Sequence, residues 1–218
     1  MIQGYVPNLN LTRENLFELG RKGPYFRYAN FPVEIATEIE LMTKLQVVKP
    51  PHHENYRPND LTVFLAGSIE MGAAEPWQDR LTYLLQNIDN LTLFNPRRDD
   101  WDSSWEQVKQ NPQFSEQVNW ELDKLLNVAD VAIFYFDPAT RSPVTMLELG
   151  LAIGRQNETG QHIIVCCPNG FWRKGNIDIV CENHEVQQVE TLDDLADEIV
   201  QLVIQNDKYK DKTNEVRA

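Results

Sequence analysis

The stretch DVAIFYFDPATRSPVTMLELGLAIG, Asp130–Gly154, decides how this chain folds. Val131 to Phe136 is an unbroken aliphatic and aromatic run, too short for a helix and apolar on both faces. Such a run reads as a central strand of a parallel sheet, covered by helices on either side. Asp137 and Pro138 stop it, and a polar turn follows. From Val144 the period changes: Met146, Leu147, Leu149, Leu151, Ala152 and Ile153 read as a mostly buried helix. Glu148 interrupts that apolar run. An unpaired carboxylate is costly to bury, so Glu148 must reach a cleft near the helix's opening turns or be neutralised. Ligands of open α/β sheets bind outside the carboxyl ends of the strands. Asp137 ends one strand and Glu148 stands early on the next helix, so two acids converge there.

Working outward, LTVFLAG (61–67), LTLFNP (91–96), HIIVCC (162–167) and Val186–Val189 read as four more strands. Helices are expected over 76–87, over 114–129 and after Thr191, where Asp194 completes an acidic variant of the capping box. FWRKGNIDIVCEN (171–183) reads as a loop or short helix. Strands alternating with helices define a doubly wound α/β fold. The expectation is a five-stranded parallel sheet in the flavodoxin-like order 2-1-3-4-5, with Gly67 and Ser68 facing Asp137 across one crevice. Residues 59–207 form this domain. Residues 1–58 are an extension and linker, with an amphipathic helix over Val33–Leu45 and a proline-rich segment over Lys49–Asp60, and 208–218 is a charged, frayed tail.

A chain of 218 residues suits one such domain with an extension. Its formal net charge of −13 argues against a nucleic-acid partner, whose phosphates need a basic face. The charge does not argue against a small nucleoside in a pocket. No apolar run reaches membrane-spanning length and no leader is visible, so a cytoplasmic protein without a membrane partner is expected. Cys166, Cys167 and Cys181 read as reduced core thiols, and His52 and His53 as solvated linker residues; no metal site is expected. FLAGSIE lacks the G-x-G-x-x-G spacing of a dinucleotide fingerprint.

FLAGS (64–68), NPRRDDW (95–101), NWELDKLLNVADVAIFYF (119–136) and the E-L-G within MLELGLAIG (146–154) occur in that order. Together they resemble the nucleoside 2-deoxyribosyltransferase family and its relatives that hydrolyse deoxynucleoside monophosphates. The resemblance covers about residues 61–205 and leaves the extension aside. It implies an enzyme of nucleotide salvage that uses no cofactor or metal and acts on 2-deoxyribonucleosides and free nucleobases. It also implies a homo-oligomer with shared active sites. Glu148 would be the nucleophile, forming a covalent deoxyribosyl ester at the anomeric carbon, so that base exchange proceeds with retention.

The resemblance also assigns the neighbours. Asp137 would help protonate the leaving base; as a residue, Asp before Pro is equally a turn starter. The NWELD segment would supply a polar group facing the base, with Asn119, Glu121 and Asp123 all candidates. Asn176 in KGNID would reach a neighbouring subunit's sugar hydroxyl, with Asp178 competing. Gly67 and Ser68 line the crevice; Ser68 is either a helix cap or a ligand contact. Trp101 and Trp105 are candidates for stacking on a base, or for a local core. Arg97 and Arg98 are expected to be neutralised by Asp99, Asp100 and Asp102, and Asp130 to be structural. Phe64 stands where many members carry a tyrosine that orients the nucleophile, so that hydroxyl must come from elsewhere, with Ser68 a candidate. Two other readings are an N-glycosidase with water as acceptor and a non-catalytic nucleoside-sensing module.

Overall fold

The computed structural model describes residues 44–52, 56–57, 59–69, 74–102 and 104–215, with backbone alone for 207–215. The helix expected over Val33–Leu45 lies outside the described residues apart from its last two, as does His53. Six strands are described: β1 (Gln46–Val48), β2 (Leu61–Gly67), β3 (Leu91–Phe94), β4 (Val131–Tyr135), β5 (His162–Cys166) and β6 (Gln187–Val189). Between and after them lie α1 (Trp77–Leu85), α2 (Pro112–Asp123), α3 (Pro143–Thr159), α4 (Lys174–Asn183) and α5 (Leu192–Glu215). A π-helical turn, Lys124–Val128, carries α2 on toward β4. The strands form one sheet in the order β1-β3-β2-β4-β5-β6, and every pairing is parallel.

The five expected strands keep their expected order, and the correction is a sixth strand at the edge. QVV (46–48) is too short to stand out from its linker. It becomes a strand because Thr92–Phe94 offers an open parallel edge in register with it. The Asn95 amide donates to the Val48 carbonyl (2.9 Å), extending the ladder. A compact unit accordingly begins at Leu45, inside the span read as extension and linker. At the other end, α5 continues as helix through Glu215, into the segment read as a frayed tail. FWRKGNIDIVCEN contributes α4.

Alternation along the strands builds two cores. Val63, Leu65, Val131, Ile133, Tyr135, Ile164 and Cys166 face α1 and α5, joining Trp77, Leu81, Leu195 and Ile199. Phe64, Ala66, Ala132, Phe134, Ile163 and Val165 face α2, α3 and α4, joining Trp120, Leu149, Ile153, Ile177 and Cys181. The three cysteines are buried free thiols. Thr191 and Asp194 cap α5 reciprocally, each side chain accepting from the other residue's amide. At the amino edge of the sheet Asp130 accepts from the Thr62 amide (2.9 Å) and hydroxyl (2.7 Å), tying β4 to β2.

Gly67, the last residue of β2, is dictated by crowding. A Cβ there would lie 2.5 Å from Cζ2 of Trp77 and 2.7 Å from the Tyr135 carbonyl oxygen. The indole is held by its own hydrogen bond to the Ser68 carbonyl (3.0 Å), so it cannot easily yield. Gly67→Ala is therefore expected to destabilise the fold by about 1–3 kcal/mol, the usual cost of overpacking a core, in equilibrium urea unfolding.

Candidate active site

The α3 helix sets the position of Glu148. Ser142 precedes it in the left-handed region (φ 46°, ψ 50°), and Pro143 occupies the first turn, where its missing N–H costs nothing. Thr145, Glu148, Leu149, Ala152 and Ile153 make the buried stripe of this helix. Glu148 thus points inward with the core residues and is only 9% exposed. Its carboxyl group has no hydrogen bond or ion pair among the described residues. Burial, reinforced by the charge of Glu121, pushes its pKa up to about 8.

The second carboxyl group comes from α2. Asn111 caps this helix by accepting from the Phe114 amide (3.0 Å), and Pro112 opens it. Two turns in, the Gln117 amide nitrogen donates to the Pro96 carbonyl (2.8 Å) and to the carboxylate of Glu121 (2.8 Å). Burial pushes the Glu121 pKa up to about 7, and the Gln117 hydrogen bond partly offsets it. Of the three NWELD candidates, Glu121 is the one coupled to Glu148. Asn119 is exposed and donates to the Ser115 hydroxyl (3.3 Å). Asp123 pairs with Lys124 (3.3 Å) and accepts from Asn127.

The carboxyl ends of β2 and β4 meet through hydroxyl groups. The Ser68 hydroxyl accepts from the Asp137 amide (3.0 Å) and from Thr140 (2.9 Å), and shares a short hydrogen bond with Ser142. Ser68 neither caps a helix nor touches Glu148; it ties the β2 end to the turn before α3. Asp137 is 8% exposed, and backbone amides occupy both its oxygens: Glu75 donates to Oδ2 (3.0 Å) and Ala139 to Oδ1 (2.8 Å). A carboxylate held this way clamps the turn and the start of α1.

A family model described as nucleoside 2-deoxyribosyltransferase like matches residues 60–171, just over half of the chain. The chain belongs to this family. No curated protein matched it. The match runs from the start of β2 to the loop before α4 and spans Ser68, Glu121, Asp137 and Glu148.

Phe64, at the strand position where many family members carry tyrosine, is fully in the core and packs near Trp120 (ring centroids 6.3 Å). Tyr135 does not replace it, because it faces the opposite core beside Trp77. Trp101 and Trp105 pack edge to face (5.3 Å), and Arg98 lies over the Trp105 ring while pairing with Asp100 and Glu116. Trp101 is 37% exposed, so this loop after β3 still offers one indole to solvent. Asn176 is exposed on the first turn of α4, and Asp178 pairs with Lys174 (2.9 Å). No group of three potential ligands suited to a metal occurs among the described residues.

Gln117, Thr140 and Ser142 are site-edge residues that the sequence reading passed over. Gln117 carried one signal, its place four residues before Glu121 on a helix, where side chains meet.

Glu148 bears a stability cost that can be measured. Its folded pKa of about 8 lies above the ordinary 4.5, so the folded state holds the proton more tightly. The resulting contribution is whole below about pH 4.5 and is lost as pH rises through about 8. Glu148→Gln cannot ionise, so its melting temperature relative to wild type is expected to climb between pH 5 and 9 and then level off. A constant offset across that range would contradict burial of the acid.

Proposed function

We propose that this chain transfers 2-deoxyribose between nucleobases through a covalent ester on Glu148. The carrying observation is a buried carboxyl group without a hydrogen-bond partner among the described residues, whose pKa is raised further by a half-buried carboxyl group on the preceding helix α2. In this reading the Glu148 carboxylate attacks the anomeric carbon as the C1′–N bond breaks. The protonated Glu121 gives its proton to the departing base nitrogen. A second base then attacks C1′, the ester bond breaks, and Glu121 takes up the proton that this base loses. Two displacements at one carbon give net retention. Asp137, with both oxygens held by backbone amides, supports the crevice and leaves proton transfer to Glu121.

The reaction needs Glu148 ionised and Glu121 protonated together. With pKa values near 8 and 7, the pair titrates as a unit and its productive form is populated most between them. A bell-shaped kcat/KM profile with an optimum between about pH 7 and 8 is expected for conversion of deoxyinosine and adenine to deoxyadenosine. Glu148→Ala should lower the rate by several powers of ten, as loss of a nucleophile does. A variant keeping a tenth of wild-type activity would remove Glu148 from that role. No turnover of any substrate, with binding retained, would favour the nucleoside-sensing alternative.

A second reading has one observation behind it. Arg141 and Arg173 lie over the Trp172 ring, at 5.5 Å and 4.5 Å from its centroid, on the loops that follow β4 and β5. A cationic rim on so acidic a chain suits a 5′-phosphate, and water would then be the acceptor. Deoxyinosine monophosphate incubated without a second base would then yield free base and 2-deoxyribose 5-phosphate.

We also propose that the active form is a homo-oligomer with shared sites. The outer face of α3 exposes Val144 (61%), Leu147 (64%) and Leu151 (40%), beside Gly150 and Gly154, which have open space where a Cβ would be. On α4, Ile179 and Val180 are exposed, whereas Phe171 and Ile177 belong to the chain's own core. An apolar patch of this kind is normally covered by symmetric association. Mixing Glu148→Ala with Asn176→Ala protein is expected to restore part of the activity. A fully active monomer at nanomolar concentration would exclude sharing.

A further inference from the structure

Gln117 carries a buried defect. Its side chain is 5% exposed, and its Oε1 is buried with no hydrogen-bond partner among the described residues. Most buried polar atoms are satisfied, so an orphan acceptor needs a cause. The cause lies at the other end of the amide, where Nε2 spends its two hydrogens on the Pro96 carbonyl and the Glu121 carboxylate, both at 2.8 Å. Turning the amide over would satisfy neither acceptor and would set Oε1 against the Pro96 carbonyl oxygen. The fold therefore keeps one acceptor unsatisfied in order to aim the amide nitrogen at Glu121. Pro96 lies two residues past the end of β3, so the amide links the sheet edge to the acid on α2.

From this arrangement we infer that Gln117 is a positioning residue, locking the Glu121 carboxyl group in the rotamer that faces Glu148. The inference rests on the reading of Glu121 as the proton carrier. Other charges near Glu121 do not supply the same restraint. Glu148, across on α3, repels it; Lys124, further along, is turned to Asp123 and to the rings of Tyr56 and Phe94. Removing the amide takes away a hydrogen bond that stabilises the ionised carboxylate, so Glu121 hold its proton to higher pH.

Gln117→Met and Gln117→Leu test this, since both fill the space without a donor and remove the orphan acceptor. Carboxyl-carbon NMR titration is expected to show the Glu121 midpoint raised by about half a unit or more in both variants. Melting temperature is expected to change little, because loss of the unsatisfied Oε1 acceptor is set against the Pro96 carbonyl and Glu121 losing their donor. The kcat/KM for base exchange should fall about tenfold to a hundredfold, as misplacement of a catalytic group does, with the acid limb of the profile displaced upward. An unmoved Glu121 midpoint overturns the inference. So does a moved midpoint with an unchanged rate and profile. A melting temperature lowered in step with activity marks Gln117 as structural and equally overturns it. If wild type exchanges no base at all, the functional reading fails, and the NMR midpoint alone decides whether Gln117 governs Glu121.

Discussion

Burial of the Glu148 carboxyl group on the inward stripe of α3 is the constraint that organises the crevice edge. A carboxylate among Leu149, Ala152 and Ile153 lacks the solvation that would keep its pKa ordinary. The fold supplies no hydrogen-bond donor to offset this among the described residues, and it adds the repulsion of Glu121. A group buried in this manner exchanges its proton nearer neutral pH than an exposed carboxyl group does. Sites that perform chemistry commonly carry such a cost, and the surrounding sheet supplies the stability that tolerates it.

The elements around Glu148 divide into those that hold the crevice and those that face it. Ser68, Thr140, Ser142 and Asp137 join the carboxyl ends of β2 and β4 to the start of α3. Their hydroxyl and carboxylate groups are spent on one another and on backbone amides, which fixes the turn from which α3 departs. Glu121 and Gln117 descend from α2 on the same face of the sheet as α3. The two helices share one core through Trp120 and Leu149, so a shift of either changes the distance between the carboxyl groups. This coupling of packing to acid–base chemistry is how a scaffold of apolar residues tunes a polar pair.

The outer face of α3 has the opposite character from its inner one. Val144, Leu147 and Leu151 look outward while Leu149, Ala152, Ile153 and one acid look inward, so this helix is apolar on both faces rather than on the inner one alone. In the proposed reading, a helix apolar on its exposed side and carrying the nucleophile on its buried side ties the site to whatever covers that side. Association and reactivity are linked through one element in the proposed oligomer.

Most of the sheet was legible in the sequence because its strands are apolar on both faces and bounded by turn residues. Period alone therefore marked Val131–Tyr135 and its neighbours, and the strand order was that of a flavodoxin-like doubly wound sheet. Glu148 was legible for the same reason, as a charge inside an apolar period. The edge strand Gln46–Val48 was not, since three residues become a strand only when a partner edge is present. Nor was the division of labour among acids. The family resemblance offered Asp137 for proton transfer; that backbone amides of Glu75 and Ala139 donate to both its oxygens is a contact that arises only on folding. The proposed choice of Glu121 over Asn119 and Asp123 rests on its effect on Glu148 and on the helical phase of α2, which the sequence does not show. The sequence by itself determined the βαβ architecture and the odd acid, because periodicity is a local property. Only tertiary structure set the Glu121 charge near Glu148 and tied the Asp137 oxygens to backbone amides, because burial and helix phase are properties of packing.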